Sequence, residues 1–76
     1  MAPTTKTEFH LDANGLPMSG SRWRHHSGRV YVVLMVTNEA SDRQDKFPTT
    51  AVYQGENGKR WSRPVSEFLE KMTPEA

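Results

Sequence analysis

The sequence contains no cysteine. Disulfide bonds and thiolate metal ligands are therefore excluded, and a reducing compartment is compatible with the chain. No apolar stretch approaches the roughly 20 residues that a membrane-spanning helix needs. The opening segment MAPTTKTEFH also lacks the apolar centre of a signal peptide. These absences predict a cytoplasmic protein that makes no membrane contact.

A strong net charge is also missing. Ten Lys and Arg residues face nine Asp and Glu residues, which leaves a formal charge of +1. Such a balance predicts no strong non-specific attraction to nucleic acid. The chain of 76 residues has room for one domain only. It has neither a G-x-S-x-G nucleophile motif nor a glycine-rich phosphate loop, so we expect no enzyme activity and no cofactor.

The chain divides into a tail and a body. Residues 1–19 are rich in Thr, Pro, Asn and Gly, which predicts a flexible tail, with a short edge strand around Phe9 and Leu11 as the alternative. Residues 12–15, DANG, predict a turn. Residues 20–73 are expected to form a single small β-rich domain that ends in a helix at about 64–73.

Four segments of the body have strand composition: SRWRHH, RVYVVLMVT, TTAVYQ and KRWS. The second is an apolar, β-branched run, which predicts a central strand covered on both faces. In strict alternation, Val30, Val32, Leu34 and Val36 lie on one face, and Tyr31, Val33 and Met35 on the other. The dipeptides SG at 27–28 and NG at 57–58 predict hairpin turns, the latter because Asn and Gly both tolerate positive φ.

The last segment, RPVSEFLEKMTP, predicts the helix. Pro64 suits a first helical turn, and an apolar stripe at helical spacing is formed by Val65, Phe68, Leu69 and Met72. The fold class is therefore mainly β with one C-terminal helix. An SH3-like barrel is the preferred architecture, and a small curled, open antiparallel sheet with one helix packed on it is the alternative.

The runs WRHHSGRVYVVLMV and AVYQGENGKRWSRPVSEFLEKM resemble the family of short bacterial and phage proteins called domain-of-unknown-function family sixteen-fifty-three. The matching positions are Trp23, Arg24, His25, Gly28, Tyr31, Val33, Val36, Val52, Tyr53, Gly55, Trp61, Arg63, Pro64, Glu67 and Phe68. The family's histidine–serine–acid segment after the second strand is replaced here by NEAS at 38–41. The resemblance implies a small, mostly β domain of bacterial or phage origin and supplies no activity.

Basic and aromatic residues recur together in the first and fourth strand segments. If those two strands were neighbours, six cations would gather beside tryptophan and tyrosine, as on surfaces that hold single-stranded nucleic acid. The alternative is that the aromatic residues are core and the arginines lie over it. The candidate binding residues are Arg22, Trp23, Arg24, His25, Arg29, Lys59, Arg60, Trp61 and Arg63.

Two of these positions have specific expectations. His25 and His26 are adjacent on a predicted strand and should point to opposite faces, so no metal site is expected. Arg63 lies at the helix start, where the helix dipole disfavours a cation. An internal carboxylate, that of Glu67 one turn later, is therefore its expected partner, ahead of a ligand.

Three functions compete at this point. The preferred one is a non-catalytic protein–protein interaction module, with the polar loop at 38–48 as its recognition element. The alternative is binding of nucleic acid or a nucleotide through the basic and aromatic strand surface. A small enzyme would need a converging polar pocket that no motif in the chain predicts.

Overall fold

Residues 10–75 form five antiparallel strands in one unclosed sheet, with one helix near the C-terminus. The computed structural model describes residues 10–75. The elements are β1 (Arg22–His25), β2 (Val30–Thr37), β3 (Thr50–Gly55), β4 (Arg60–Pro64), α1 (Val65–Lys71) and β5 (Met72–Pro74). The strand order across the sheet is β4-β3-β2-β1-β5. The mainly β fold with a C-terminal helix is confirmed, and of the two predicted architectures the open sheet is the one observed.

Both predicted hairpin turns are present, and they share one geometry. The amide of Gly28 donates to the carbonyl of His25 at 2.8 Å, and that of Gly58 to Gly55 at 2.9 Å. Both Gly28 and Gly58 have φ near +90°, at 98° and 83°. Among the described non-glycine residues only Asn38 has positive φ, so the predicted turn at Asn57 and Gly58 places positive φ at the glycine alone. Each turn therefore follows the three-residue pattern that ends in a left-handed glycine.

A register shift in β2 changes the predicted alternation of its side chains. Val33 pairs with Tyr53, but Met35 pairs with Val52 because the register shifts between Val33 and Met35. Val36 consequently packs against the core, whereas Met35 is half exposed. Strict alternation is therefore wrong beyond the shift, as a bulge moves every later side chain to the other face. Of the two faces, α1 covers only one, so the predicted coverage of both faces is wrong among residues 10–75.

The helix is shorter than predicted, and its apolar stripe is narrower. It spans Val65–Lys71, with Pro64 as its N-cap, and Met72 takes up extended backbone at φ −117° and ψ 148°. The residues after it pair with β1 as a fifth strand. Leu69 is 39% exposed, so its predicted place in the core is wrong. The buried core consists of Trp23, Val33, Ala51, Tyr53, Val65, Phe68 and Met72.

The segment before β1 packs on this core. Its predicted turn is present, since Asp12 Oδ1 accepts the amides of Asn14 and Leu16 at 2.8 and 3.0 Å. His10 is buried and meets the Trp23 ring edge to face at 5.4 Å. Residues 1–9, which include Phe9 of the expected tail, lie outside the described residues. Residues 10–19, the described part of the predicted tail, therefore contribute contacts that cover Trp23.

Candidate functional site

The sheet order separates the basic residues that would gather if β1 and β4 were neighbours. Strands β2 and β3 lie between β1 and β4, so the condition for a single six-cation cluster is not met. Side chains alternate between faces along each strand. Arg22, Arg24 and Arg60 therefore lie on the face opposite α1, called the open face below. His25, Trp61 and Arg63 lie on the face that carries α1.

Trp23, one of the candidate binding residues, is part of the core. Its side chain is 1% exposed, and its indole N–H donates to Ser21 Oγ at 2.8 Å. Its ring meets Phe68 edge to face at 5.0 Å. These contacts occupy both the apolar and the polar parts of the indole, so Trp23 supports the fold and offers no surface to a ligand.

Two of the three arginines on the open face bond to side chains of the same chain. Arg24 donates from Nε and Nη2 to the two carboxylate oxygens of Glu75 at 2.8 and 2.9 Å. The hydrogen bond and charge of Glu75 raise the pKa of Arg24 above its ordinary value. Arg60 Nε donates to Gln54 Oε1 at 3.0 Å. Arg22 is exposed on the same face. Exposed pairs of this kind contribute little stability, but they connect Arg24 to the residue after β5 and Arg60 to β3.

A groove lies on the helix side of the sheet, between the two hairpin turns. It consists of two adjoining cavities of about 260 and about 200 Å³ that both contain Arg29, Tyr31 and Trp61. We call the set His25, Arg29, Tyr31, Trp61 and Arg63 the aromatic groove. Trp61 is half exposed there. Four of these five side chains were candidate binding residues, and Tyr31 was not.

Tyr31 is held in the groove by a glycine and a second tyrosine. It pairs across strands with Gly55, and a Cβ at Gly55 would lie 3.0 Å from Tyr31 Cε1. The Tyr31 ring also meets the buried Tyr53 ring edge to face at 5.2 Å. Because Gly55 has no side chain, the ring can lie close to its backbone. This contact forms the floor of the groove beside Trp61.

The two adjacent histidines lie together, contrary to the prediction that they point to opposite faces. Their ring centroids are 4.0 Å apart, because His25 ends β1 and His26 already belongs to the turn. His25 Nδ1 accepts the amide of Ser27 at 3.1 Å. Partial burial, followed by the charges of His26, Arg63, Lys71 and Arg29, lowers the pKa of His25. His25 therefore favours the neutral form in the groove. Residues 10–75 contain no group of three or more His, Cys, Asp or Glu residues placed to hold a metal ion.

The predicted pairing of Arg63 with Glu67 is confirmed. Arg63 Nη1 lies 3.5 Å from Glu67 Oε1, one helical turn along the chain. Both side chains are well exposed, at 37% and 54%, so the pair is a weak one. A guanidinium has five N–H donors, and this long contact involves one of them. The pairing therefore leaves most of the Arg63 donors outside this contact, and Arg63 also lines the groove.

The remaining candidate, Lys59, is exposed in the β3–β4 turn, and its carbonyl accepts the amide of Gly55 at 2.9 Å. The same turn supplies Glu56 and Asn57 to the groove lining, and neither was among the candidate binding residues. The sequence signal that could have identified Tyr31 is the alternation of side chains along a strand. Once the strand pairing is known, this alternation places Tyr31 on the same face of the sheet as Trp61.

The loop at 38–48 lies at the opposite end of the sheet and is internally bonded. Gln44 Nε2 donates to the carbonyls of Asn38 and Ser41 at 3.2 and 3.0 Å, and Gln44 Oε1 accepts the amide of Thr49 at 2.7 Å. Phe47 is 57% exposed on this loop. The exposed Phe47 ring therefore lies at the end of the sheet opposite the aromatic groove.

The model of the family described as Protein of unknown function (DUF1653) matches residues 21–76, which include the whole sheet and the helix. No curated protein and no solved structure matches the chain. Within residues 10–75, no helix is both long enough and apolar enough to cross a membrane.

Proposed function

Because the chain belongs to the DUF1653 family, whose function is unknown, we propose its function from its own surface: a non-catalytic module that binds another protein through the aromatic groove. The observation that carries this proposal is Trp61. A tryptophan that is half exposed in a domain with so small a core leaves a large apolar area in water. Tryptophan, tyrosine and arginine are the residues that dominate binding energy at protein interfaces.

The composition of the groove supports a protein ligand. Arg29 and Arg63 line the groove beside the half-buried Tyr31 ring and the exposed Trp61 ring, and the neutral form of His25 is favoured there. Glu56 is the acidic residue in the lining. Rings for packing and arginines for hydrogen bonding match a peptide segment with apolar and acidic side chains.

The open shape of the groove supports binding without catalysis. An enzyme would need a nucleophile, a base and an orienting group that converge, in a site from which water is excluded. The groove is an open surface lined by rings and cations. We therefore assign it recognition and no reaction, with no cofactor.

A second candidate function is binding of single-stranded nucleic acid or a nucleotide. The neighbouring Tyr31 and Trp61 rings, with Arg29 beside both, match the combination of stacking surfaces and cations that holds unpaired bases. Because the cations are divided between two faces, the cations available to such a ligand are Lys59, Arg29 and Arg63. Three phosphate contacts on a single strand correspond to a salt slope of about −2 in log K against log salt.

The test is a selection of random display peptides on the immobilised protein, repeated on Trp61→Ala. Phe47→Ala is the matched control, because Phe47 is similarly exposed but lies outside the groove. We expect acidic peptides with apolar residues to be enriched on the wild type and on Phe47→Ala, and lost on Trp61→Ala. Equal enrichment on all three proteins, or none on any, would contradict the proposal.

A parallel titration separates the two candidate functions. Trp61 fluorescence is followed as single-stranded DNA or RNA is added at low and physiological salt, with Trp61→Phe as the control for the contribution of buried Trp23. Saturable binding that weakens with salt and disappears in Arg29→Ala would favour the nucleic-acid function. No response at low salt would leave the protein-binding proposal as the better one.

A further inference from the structure

We propose that the bound partner segment is an extended acidic peptide that adds to the outer edge of β4 as a sixth strand of the sheet. This inference rests on the proposed function and names the binding mode of the same site. It follows from three features of β4: unpaired backbone groups, the charge along the strand, and the position of Trp61 and Arg63.

The outer edge of β4 is unpaired within residues 10–75, since β4 ends the sheet and pairs only with β3. Two hydrogen bonds define which backbone groups face β3. Gly55 N–H donates to the carbonyl of Lys59 at 2.9 Å, and Val65 N–H donates to that of Thr49 at 2.8 Å. In an antiparallel pair, alternate residues bond to the partner and the residues between them point away. Arg60 and Ser62 consequently present their N–H and C=O groups outward.

The side chains of β4 would face an added strand in a definite way. Arg60 and Ser62 lie on the open face, and Trp61 and Arg63 lie in the aromatic groove. Residues of the added strand opposite Trp61 and Arg63 would form the closer, non-hydrogen-bonded pairs. An apolar side chain can then pack on the Trp61 ring, while the adjacent residue of the added strand lies on the open face and directs its carboxylate to Arg60. Strand addition therefore uses backbone and groove together, as in other peptide-binding sheets.

Charge selects the occupant. Arg60 and Arg63 lie on this strand and Lys59 directly precedes it, and Glu67 near its end is engaged by Arg63 at 3.5 Å. A second copy of β4 would bring like charges together, and edge cations of this kind oppose self-pairing. An acidic strand meets the same cations with opposite charge. The other edge is poorer, because β5 spans only Met72–Pro74 and its Pro74 has no N–H to donate.

The experiment uses a capped hexapeptide of alternating Glu and Val, followed by NMR hydrogen exchange of the whole protein. We expect the exchange of the Arg60 and Ser62 amides to slow at least tenfold on peptide saturation. The Trp61 and Arg63 amides, which already bond to β3, are internal references. A peptide of alternating Lys and Val tests the charge requirement and is expected not to bind.

Two matched controls isolate the backbone contribution. The first is the Glu–Val peptide N-methylated on alternate residues in each of the two possible phases, one of which removes the donors that face β4. The second control compares Ser62→Pro with Ser62→Ala, because Ser62 is exposed and its N–H points outward. We expect binding to weaken about tenfold for Ser62→Pro, the effect of about one lost hydrogen bond, and by more than this for the phase of N-methylation that removes the donors facing β4. Ser62→Ala should bind like the wild type.

The outcomes distinguish the binding mode from the proposed function. Trp61-dependent binding with unchanged exchange at Arg60 and Ser62 would overturn strand addition and leave groove binding intact. No saturable response to the Glu–Val peptide at millimolar concentration would also overturn strand addition. The proposed function would be overturned if the display selection yielded no peptide whose binding depends on Trp61. If the Arg60 and Ser62 amides exchange more slowly as the protein concentration rises in the absence of peptide, the occupant of the edge is a second copy of the chain. That result would refute the acidic partner.

Discussion

Replacing Phe68 with alanine should remove a large part of the stability of this domain. Phe68 is 0% exposed, and its ring lies 5.0 Å from Trp23 and 5.2 Å from Tyr53. Burial of the ring and the cavity left behind account for about 3–5 kcal/mol. A 76-residue domain has a total unfolding free energy of roughly 4–11 kcal/mol. The variant should therefore unfold at least about 12 °C lower.

The adjacent residue supplies the control. Leu69 is also apolar and belongs to the same predicted stripe, but it is 39% exposed. Leu69→Ala loses little burial and gains slightly in helix propensity, so we expect a change of about 1 kcal/mol or less. Phe68→Leu, which keeps most of the apolar volume, should lie between the two and remain folded.

The assay is urea unfolding followed by the fluorescence of buried Trp23, in a Trp61→Phe background so that one tryptophan reports. The free energy of unfolding of each variant is obtained with one common slope of free energy against urea concentration. A variant with a different slope would have a different unfolded or native state. Equal losses for Phe68→Ala and Leu69→Ala would refute the orientation of α1 described above, because the full apolar stripe would then be core.

Three further predictions concern the turns and the groove. Gly55→Ala should cost about 1–3 kcal/mol and shift the Tyr31 ring resonances, because its Cβ would lie 3.0 Å from that ring; unchanged Tyr31 shifts would contradict the contact. Gly58→Ala should cost about 1–2 kcal/mol because of its φ of 83°, measured by the same urea assay, and no loss would show that the turn adopts another geometry. The imidazole of His25 should titrate below its ordinary pKa of about 6.5, since burial lowers its pKa. The unfolded chain then takes up this proton first as the pH falls, so stability should decrease below about pH 6.5, and this component should vanish in His25→Asn; an NMR titration with a His25 pKa above 6.5 would refute the stated cause.

Sequence reasoning succeeded where structure depends on near neighbours in the chain. The turns at Gly28 and Gly58, the apolar strand β2 and the pairing of Arg63 with Glu67 follow from residues a few positions apart. Each of these features is decided by backbone freedom, by alternation or by helical spacing, which are all local.

The candidate site was predictable only in part. The groove residues His25, Arg29, Trp61 and Arg63 were all among the candidates, but so was Trp23, which is core. Its burial depends on His10 and Phe68, which are distant in the chain and close in space. Composition identified the right residue types, and it could not distinguish the buried indole from the exposed one.

The sequence by itself determined the family, the mainly β class, both hairpins and the existence of a C-terminal helix, because these depend on local patterns. Tertiary structure alone decided the strand order, the register shift after Val33 and the conversion of Met72–Pro74 into a strand. Those long-range pairings divide the cations between two faces and leave the β4 edge beside Trp61 without a partner strand among residues 10–75. A side chain's face is set by register, and register is set by packing between segments that are far apart in the chain.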